Sequence, residues 1–268
     1  MIGPMMMRQA MIFAAGLGTR LRPLTDTMPK ALVPVAGKPL LAHVIERLLA
    51  AGYERMVVNV HHKADQIEHY LRVNRNFGID IAISDERDEL LDTGGGLKKA
   101  ANLFDPDEPI LLHNVDILDN VDYEWFRRQH LGDEDAVLLV SRRPTKRYLL
   151  FDNAMRLMGW TNTETGEIKS PFPWLREARS TASDTPQPSA LEGLAVSASL
   201  GAMAFSGIHS FSPRLFPLME RFPRRFPIID FYLSVCHRSR IMGCAKDGLR
   251  VLDVGKPGAL EAAAAFIT

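Results

Sequence analysis

Short apolar runs alternate with helical patterns along the first 140 residues of the chain. The runs have the length and the Val, Ile and Leu content of buried strands, and they lie at residues 9–15, 55–60, 79–84, 109–114 and 136–140. Between them, apolar residues recur every three or four positions, as on one face of a helix, over residues 39–51, 64–72, 93–104 and 122–130. The alternation predicts an α/β fold with a Rossmann-like, mostly parallel sheet covered by helices.

The pattern changes after residue 141. Residues 148–151 and 156–160 flank a turn at Asn153 and predict an antiparallel hairpin. Residues 171–198 are rich in Ser, Thr, Pro and Ala and predict a long loop or lid, ordered or not. The remainder predicts further elements: a strand at 200–208, helices at 213–222 and 228–238, a strand at 250–254 and a helix from about 257. We therefore divide one structural domain into a core (1–140), an antiparallel insertion (141–210) and a C-terminal part (211–268).

Composition excludes several classes of partner. The chain has 32 Lys and Arg against 32 Asp and Glu, so a net charge of zero argues against a nucleic-acid surface. No apolar run reaches the roughly 18 residues of a membrane span, and no signal-peptide segment is visible, so we expect a cytoplasmic protein without a membrane partner. Cys236 and Cys244 fall in one predicted helix-to-strand connection, where we expect reduced thiols. The sequence does not predict an oligomeric state.

A glycine-rich turn follows the first predicted strand directly. Gly16 and Gly18 leave the main chain bare there, so backbone N–H groups can approach an anion closely. Arg20 and Lys30 follow on a segment stiffened by prolines, which suits a polyphosphate, although both are equally well interpreted as solvated surface charges. The dinucleotide fingerprint is excluded because Leu21 stands in place of its third glycine, and a Walker loop because Gly-Lys-Ser/Thr is missing.

Two acidic residues lie at the ends of predicted strands. Asp116 comes just after residues 109–114, and Asp253 lies within residues 250–254. Open α/β sheets bind ligands at the carboxyl ends of their strands, and a Mg²⁺ ion on a nucleoside triphosphate takes one or two protein carboxylates. A capping or turn role remains the alternative for either residue alone. The Asp-x-Asp element of metal-dependent glycosyltransferases is excluded, because Leu118 stands two positions after Asp116.

The run at residues 14–40, AAGLGTRLRPLTDTMPKALVPVAGKPL, resembles the signature of the sugar-1-phosphate nucleotidyltransferases. The resemblance implies a GT-A-like nucleotidyltransferase fold and transfer of a nucleotidyl group to a sugar 1-phosphate, with release of pyrophosphate. It makes residues 1–140 the nucleotide-binding core and residues 141–210 the lid and sugar-binding insertion. The resemblance also implies which residues contact the nucleotide: Ala14, Ala15, Gly16, Gly18, Thr19, Arg20, Lys30, Thr93, Gly94, Gly95 and Asn114.

The resemblance also implies a Mg²⁺ cofactor and a set of catalytic residues. Family members hold the metal with an Asn-x-Asp and a late Asp-x-Gly element, which match residues 114–116 and 253–255 and give Asp116 and Asp253. Lys30 is implied to act on the attacked phosphate and Arg20 on the departing phosphates, so Lys30, Arg20 and Asp116 are the expected catalytic residues. Val251 departs from the family, which often carries an aromatic residue two positions before the second Asp.

Residues 91–96 resemble the base-recognition loop of the family. The form with Thr93 and three glycines is most similar to N-acetylmuramate 1-phosphate uridylyltransferases, which carry Glu where Asp92 stands; Thr93 also fits a helix N-cap. We therefore expect UTP and a sugar 1-phosphate like N-acetylmuramate 1-phosphate as substrates. A guanylyltransferase for heptose or mannose 1-phosphate is the alternative. A cytidylyltransferase that activates phosphocholine and a non-catalytic nucleotide-sugar binding or regulatory module also remain open.

Gly207 and Trp160 are the candidates for contact with the sugar. Residues 205–209 resemble the family's strand beside the sugar, where Gly207 leaves room for a ring, although a glycine bulge explains it equally well. Trp160 has the shape to stack on a sugar, although a half-buried hairpin aromatic is the simpler interpretation. The Glu-Lys-Pro element of larger relatives is replaced by Gly-Trp-Thr-Asn at residues 159–162, so its lysine has no counterpart.

Overall fold

The computed structural model describes residues 8–177, 200–255 and 258–267, which contain strands and helices in alternation. The strands are β1 (Arg8–Phe13), β2 (Pro34–Val35), β3 (Lys38–Pro39), β4 (Tyr53–Val60), β5 (Asp80–Asp85), β6 (Ile110–Asn114), β7 (Ile117–Asp119), β8 (Ala136–Ser141), β9 (Arg147–Phe151), β10 (Leu157–Asn162), β11 (Glu167–Lys169), β12 (Gly201–Phe211), β13 (Ile241–Ala245) and β14 (Val251–Asp253). The α-helices are α1 (Leu24–Thr27), α2 (Leu40–Ala50), α3 (Ala64–Val73), α4 (Asp92–Lys99), α5 (Tyr123–Arg127), α6 (Pro173–Glu177), α7 (Phe216–Met219), α8 (Ile228–Val235) and α9 (Ala259–Ile267).

One large sheet joins ten of these strands. Its order is β11-β10-β9-β12-β6-β1-β4-β5, with β8 beside β12 and β13 beside β8. Strand β1 pairs in parallel with β4 and β6, and β4 pairs in parallel with β5, so the carboxyl ends of these four strands meet at one edge. Strand β12 runs antiparallel to both β6 and β8. The predicted α/β fold with a mostly parallel sheet is thus confirmed, and its ligand-binding edge follows β1, β4, β5 and β6.

Two apolar cores lie on the two faces of the sheet. Successive residues of β1 point to opposite faces: Ala10 and Ile12 belong to one core, and Met11 and Phe13 belong to the other. Helix α2 packs on the first face because its buried residues repeat at helical spacing, and the chain then turns at Gly52 with φ 78°. Helices α4 and α8 cover the second face. No helix in these ranges is both long and apolar enough to cross a membrane.

The C-terminal part contains a strand that the sequence pattern missed. Strand β13 pairs in parallel with β8 inside the main sheet, in a stretch predicted as a helix-to-strand connection. Its residues IMGCA are too few and too weakly β-branched to stand out from a loop. Cys236 is the C-cap residue of α8, and Cys244 lies within β13, so the prediction that one connection holds both thiols is wrong.

The predicted helix at 213–222 also needs correction. The helix is a 3₁₀ turn at Pro213–Leu215 followed by the four residues of α7, and Pro217 in its second position lacks an N–H group for a preceding turn. Residue 210, taken as the end of the insertion, lies inside β12, whose last residues pair with β6 in the core. The predicted hairpin is present as β9 and β10. Most of the predicted lid, residues 178–198 of 171–198, lies outside the described residues.

Both cysteines are free thiols, and their environment gives a first testable prediction. Burial raises the pKa of Cys236 to about 12 and that of Cys244 to about 11. Because the thiolate is the nucleophile, a thiol whose pKa lies well above the ambient pH reacts slowly. At pH 8 we expect Ellman's reagent to modify the native protein far more slowly than the urea-unfolded protein. Equal rates for native and unfolded chains would contradict this.

Candidate active site

Lys30, Asp116 and Asp253 point their charged atoms at one small space beside Gly255. The Lys30 ammonium pairs with Asp116 Oδ2, and the two side chains are only 12% and 15% exposed. A methyl group on Gly255 would lie against Lys30 Nζ, 2.6 Å from Asp116 Oδ2 and 2.9 Å from Asp253 Oδ1. The structure therefore brings together the lysine and the two carboxylates that the sequence singled out.

Two short strands bring the distant carboxylates together. Asp116 lies in the turn between β6 and β7, and Asp253 ends β14, where it pairs with Ile117 in the antiparallel ladder of β7 and β14. Main-chain hydrogen bonds hold the junction, because Val254 N–H donates to the Asp116 carbonyl at 2.8 Å. Gly255 N–H donates to Asp253 Oδ1 at 2.9 Å, which fixes that carboxylate.

A buried polar cluster fastens β7 to its neighbours. Asp119 at the end of β7 accepts hydrogen bonds from Arg47 and Tyr123, both at 2.9 Å, and lies 3.2 Å from His113 Nε2. Burial by itself raises the pKa of Asp119, but the hydrogen bond with His113 and the charge of Arg47 outweigh burial and hold it below its usual value. Asp119 therefore stays ionised and anchors the strand against which β14 pairs.

The donor atoms beside Gly255 fit a magnesium ion. Within the described ranges, no group of three or more His, Cys, Asp and Glu side chains is arranged to hold a metal. A pair of carboxylates is nevertheless the protein share that Mg²⁺ commonly takes, since water and substrate phosphates complete its octahedron. Asp116 and Asp253 supply hard oxygen ligands of that kind.

A cavity of about 290 Å³ opens beside this cluster, at the carboxyl ends of β1, β4, β5 and β6. Several predicted nucleotide-binding residues line it: Ala14, Ala15, Gly16, Lys30, Thr93 and Asn114. Gly18, Thr19 and Arg20 are not in its lining. Arg225 lines it without having been predicted, because it lies in a loop whose position no local pattern reveals.

The glycine-rich turn owes its shape to Gly18. That residue has φ 64°, and a Cβ on it would lie 2.8 Å from Thr25 Cγ2, so only glycine fits without strain. Thr25 Oγ1 donates to the Gly18 carbonyl at 2.9 Å and closes the turn. Arg20 follows in the 3₁₀ turn Thr19–Leu21 and is exposed. Its side chain forms no ion pair with any described residue.

Residues 91–96, which resemble a base-recognition loop, form the start of α4 and pack against the protein in a way that the sequence did not predict. Gly94 and Gly95 N–H groups donate to the Phe226 carbonyl, at 2.9 Å and 3.2 Å. A Cβ on Gly94 would lie 2.9 Å from that same oxygen. The segment before α8 thus occupies these two N–H groups, and contact of Gly94 and Gly95 with a nucleotide stays a prediction. Asp92 and Thr93, which line the cavity, remain for base contact.

Thr93 is not the N-cap of α4, contrary to the sequence prediction. Helix α4 begins at Asp92, whose φ is 62°, and its N-cap position is Leu91. Thr93 Oγ1 instead accepts a hydrogen bond from Ile228 N–H at 2.9 Å, at the start of α8. The hydroxyl thus satisfies one of the four free donors at the beginning of another helix.

Replacement of Thr93 by valine is expected to lower the free energy of unfolding by about 1 kcal/mol, as for loss of a helix cap. Thr93→Ser keeps the hydroxyl and is the matched control, so it should stay near the wild type. Urea unfolding followed by circular dichroism measures both. Equal stability of the valine and serine variants would remove the capping role.

Gly207 lies in a bulge of β12. Pairing of β12 with β8 is interrupted between Phe205 and His209, and Gly207 has φ 77°. A Cβ there would lie 2.8 Å from Asn114 Nδ2 and 3.0 Å from Ile117 Cγ1, so glycine admits the Asn114 side chain. The glycine-bulge alternative is confirmed. Contact of Gly207 with a sugar stays a prediction.

Trp160 lies on β10, half-buried against the second core, with Lys169 Nζ 5.3 Å from the centre of its ring. This is the hairpin aromatic of the simpler interpretation. Like Gly207, it does not line the 290 Å³ cavity. Its stacking on a sugar therefore stays a prediction.

Comparison with known proteins identifies relatives of the N-terminal half. The family model described as "Nucleotidyl transferase" matches residues 9–148. An N-acetylmuramate alpha-1-phosphate uridylyltransferase of Caulobacter vibrioides is 52% identical over 109 residues, which are 40% of this chain and 45% of the relative. A mannose-1-phosphate guanyltransferase of Gibberella zeae is 36% identical over 143 residues, 52% of this chain and 39% of the relative. The chain thus spans less than half the length of either relative.

Solved structures extend the similarity of fold to nearly the full length of the chain. HddC from Yersinia pseudotuberculosis, in a crystal structure complexed with GMP-PN, matches with a TM-score of 0.70 at 20% identity. The match covers 98% of this chain and 100% of the other. At this identity the likeness shows the fold, which is the α/β fold described above.

Proposed function

Because the chain belongs to the nucleotidyl transferase family, we propose that it transfers UMP from UTP to a sugar 1-phosphate resembling N-acetylmuramate 1-phosphate, with release of pyrophosphate. The observation that carries the proposal is the meeting of Lys30, Asp116 and Asp253 beside Gly255. This cluster adjoins a cavity lined by the glycine-rich turn. One positive and two negative groups at the rim of a phosphate-sized space suit the handling of a polyphosphate.

The reaction needs few groups from the protein. A sugar phosphate oxygen attacks the α-phosphorus in line, and because this nucleophile is already an anion, neither a base nor a covalent enzyme intermediate is required. Asp116 and Asp253 would hold Mg²⁺, which when bound supplies positive charge that offsets repulsion between the two phosphates. The Lys30 ammonium, oriented by its ion pair with Asp116, stabilises charge on the attacked phosphate. The exposed Arg20 binds the departing pyrophosphate.

Uridine is favoured over guanosine by the comparisons. The relative with 52% identity is named a uridylyltransferase, and the one named a guanyltransferase has 36% identity. Guanylyl transfer to mannose or heptose 1-phosphate is the second candidate. A non-catalytic nucleotide-sugar binding module is disfavoured, because such a module has no need of Lys30, Asp116 and Asp253 at one point.

A substrate matrix tests the proposal. Four nucleoside triphosphates are combined with several sugar 1-phosphates in the presence of Mg²⁺, and pyrophosphate release is measured. UTP with N-acetylmuramate 1-phosphate should give the highest kcat/KM. Higher kcat/KM for GTP with mannose or heptose 1-phosphate would favour the second candidate. Binding of a nucleotide sugar without pyrophosphate release in any combination would favour the non-catalytic module.

Arg20→Ala is expected to raise KM for UTP and lower kcat/KM for UTP by about tenfold or more, roughly 1.4 kcal/mol of transition-state binding. Arg22→Ala is the matched control. Its guanidinium is also exposed, but its Nε is paired with Asp26 Oδ1 at 3.3 Å. Steady-state kinetics at saturating sugar phosphate measures both variants. Unchanged UTP kinetics in Arg20→Ala would remove this residue from pyrophosphate binding.

A further inference from the structure

Asn59 and Glu86 form a buried pair in the lining of the nucleotide cavity, and the mechanism does not use them. Asn59 lies in β4 and Glu86 follows β5, and their relative exposures are only 3% and 1%. Burial raises the pKa of Glu86. A buried carboxyl is costly unless its oxygens are hydrogen-bonded, and here both are: Oε1 accepts from Asn59 Nδ2 at 2.7 Å and Oε2 from Leu91 N–H at 3.0 Å.

The pair connects two loops that lie far apart in sequence. Asn59 Oδ1 accepts from Ala14 N–H at 2.7 Å and from Ala15 N–H at 3.4 Å. A continuous path of hydrogen bonds therefore runs from the start of the glycine-rich turn, through Asn59 and Glu86, to Leu91. The first end leads into the glycine-rich turn proposed to bind the phosphates, and the second end leads into Asp92 and Thr93, which line the cavity.

Neighbouring groups hold Glu86 in one place. The Glu86 N–H donates to the Val60 carbonyl at 2.7 Å, and His61 Nδ1 donates to the Glu86 carbonyl at 2.6 Å. A Cβ on Gly96 would lie 2.6 Å from Glu86 Oε1. The Glu86 carboxylate therefore requires glycine at position 96. This requirement explains the third glycine of the run, which base recognition does not explain.

We propose that Asn59 and Glu86 are positioning residues that fix the phosphate-side loop and the base-side loop of the nucleotide site relative to each other. The inference rests on the proposed nucleotidyltransferase function. Neither side chain is placed at the reacting atoms; both act through the main chain at Ala14, Ala15 and Leu91. Loosening the pair should therefore weaken nucleotide binding and reduce discrimination between bases, with little effect on KM for the sugar phosphate.

Donor and acceptor can be exchanged between the two side chains, so a positioning role can be distinguished from a general effect on stability. In Glu86→Gln, the single amide oxygen can accept from Asn59 or from Leu91 but not from both, so one buried donor loses its partner. In Asn59→Asp, a carboxylate oxygen faces the Glu86 carboxylate. In the double variant Asn59→Asp, Glu86→Gln, the new amide donates to the new carboxylate. The new carboxylate still accepts from Ala14, and the amide oxygen accepts from Leu91, so every donor regains an acceptor.

The test measures equilibrium binding of UTP, CTP, GTP and ATP by titration calorimetry without sugar phosphate, together with steady-state kinetics. Each single variant should bind UTP about tenfold more weakly and lose part of its preference among the four nucleotides. The double variant should return to within about threefold of the wild type, since its hydrogen bonds are complete again. Thermal melting of every variant shows whether it is folded.

Gln9→Glu is the matched control. Gln9 is a buried amide, 1% exposed, near the amino end of β1, where its Nε2 donates to the Asp105 and Glu108 carbonyls. This variant should lower the melting temperature without changing the order of nucleotide affinities. Failure of the double variant to recover, or single variants that lose only melting temperature, would overturn the positioning role. Absence of nucleotide binding and of pyrophosphate release in the wild type would overturn the proposed function and this inference together.

Discussion

Lys30→Ala is expected to slow pyrophosphate release by roughly 10²–10³-fold, the scale seen when one preorganised charge-stabilising group is removed. Its ammonium is the positive group at the meeting point of Asp116 and Asp253, and only 12% of the side chain is exposed. The side chain belongs to neither apolar core, so the fold should persist. In the variant, charge that develops on the attacked phosphate would lack its protein counter-charge.

Lys38→Ala is the control for this variant. Lys38 also pairs with a carboxylate, Glu46, but its side chain is 42% exposed and lies outside the cavity lining. Pyrophosphate release at saturating UTP, with circular dichroism to verify folding, compares the two variants. A folded Lys30→Ala protein with near wild-type turnover would remove the lysine from the reaction centre.

Gly255→Ala is expected to slow pyrophosphate release at least as much as Lys30→Ala does, although it adds only one methyl group. The group would lie against Lys30 Nζ and within 2.9 Å of oxygens of both Asp116 and Asp253, the space proposed for the metal. Gly255 does not have a positive φ, so alanine is compatible with the backbone and the effect is steric. Electron paramagnetic resonance of Mn²⁺ in the presence of UTP measures whether the metal still binds.

Gly201→Ala is the matched control, since a Cβ there would reach no atom closer than Phe151 O at 4.0 Å. It should keep both metal binding and turnover. A Gly255→Ala protein that binds Mn²⁺ and turns over like Gly201→Ala would show that the metal and the triphosphate do not occupy this space.

The long strands of the core were predictable because each one buries a continuous apolar run. Strands β1, β4 and β6 were found within a few residues of their true ends for that reason. The strands β7 and β14 that join Asp116 to Asp253 have three residues each. Runs this short carry no period, and β7 was missed. The sequence resemblance, rather than any local pattern, predicted that these two carboxylates would meet.

The roles of site residues were harder to predict where contacts between distant segments determine their hydrogen-bond partners. Thr93 is a residue type that commonly caps a helix and lies at the start of α4, but its hydroxyl caps α8 instead. The N–H groups of Gly94 and Gly95 donate to the Phe226 carbonyl, a contact between distant segments that no local pattern indicates. The rule that led to Asp116, a polar residue at the carboxyl end of a buried strand, applies equally to Asn59 and Glu86, and wider use of it would have found them.

Family membership and fold are thus established for this chain. The central claim is that Asp116 and Asp253 act together on a magnesium-bound triphosphate. Pyrophosphate release from UTP and N-acetylmuramate 1-phosphate, measured across a Mg²⁺ titration for the wild type and Asp253→Asn, tests it most directly. The wild type should be inactive without the ion, and the variant should need far more Mg²⁺ or remain inactive. Identical Mg²⁺ curves for the two proteins, or wild-type release in the presence of a chelator, would contradict the claim.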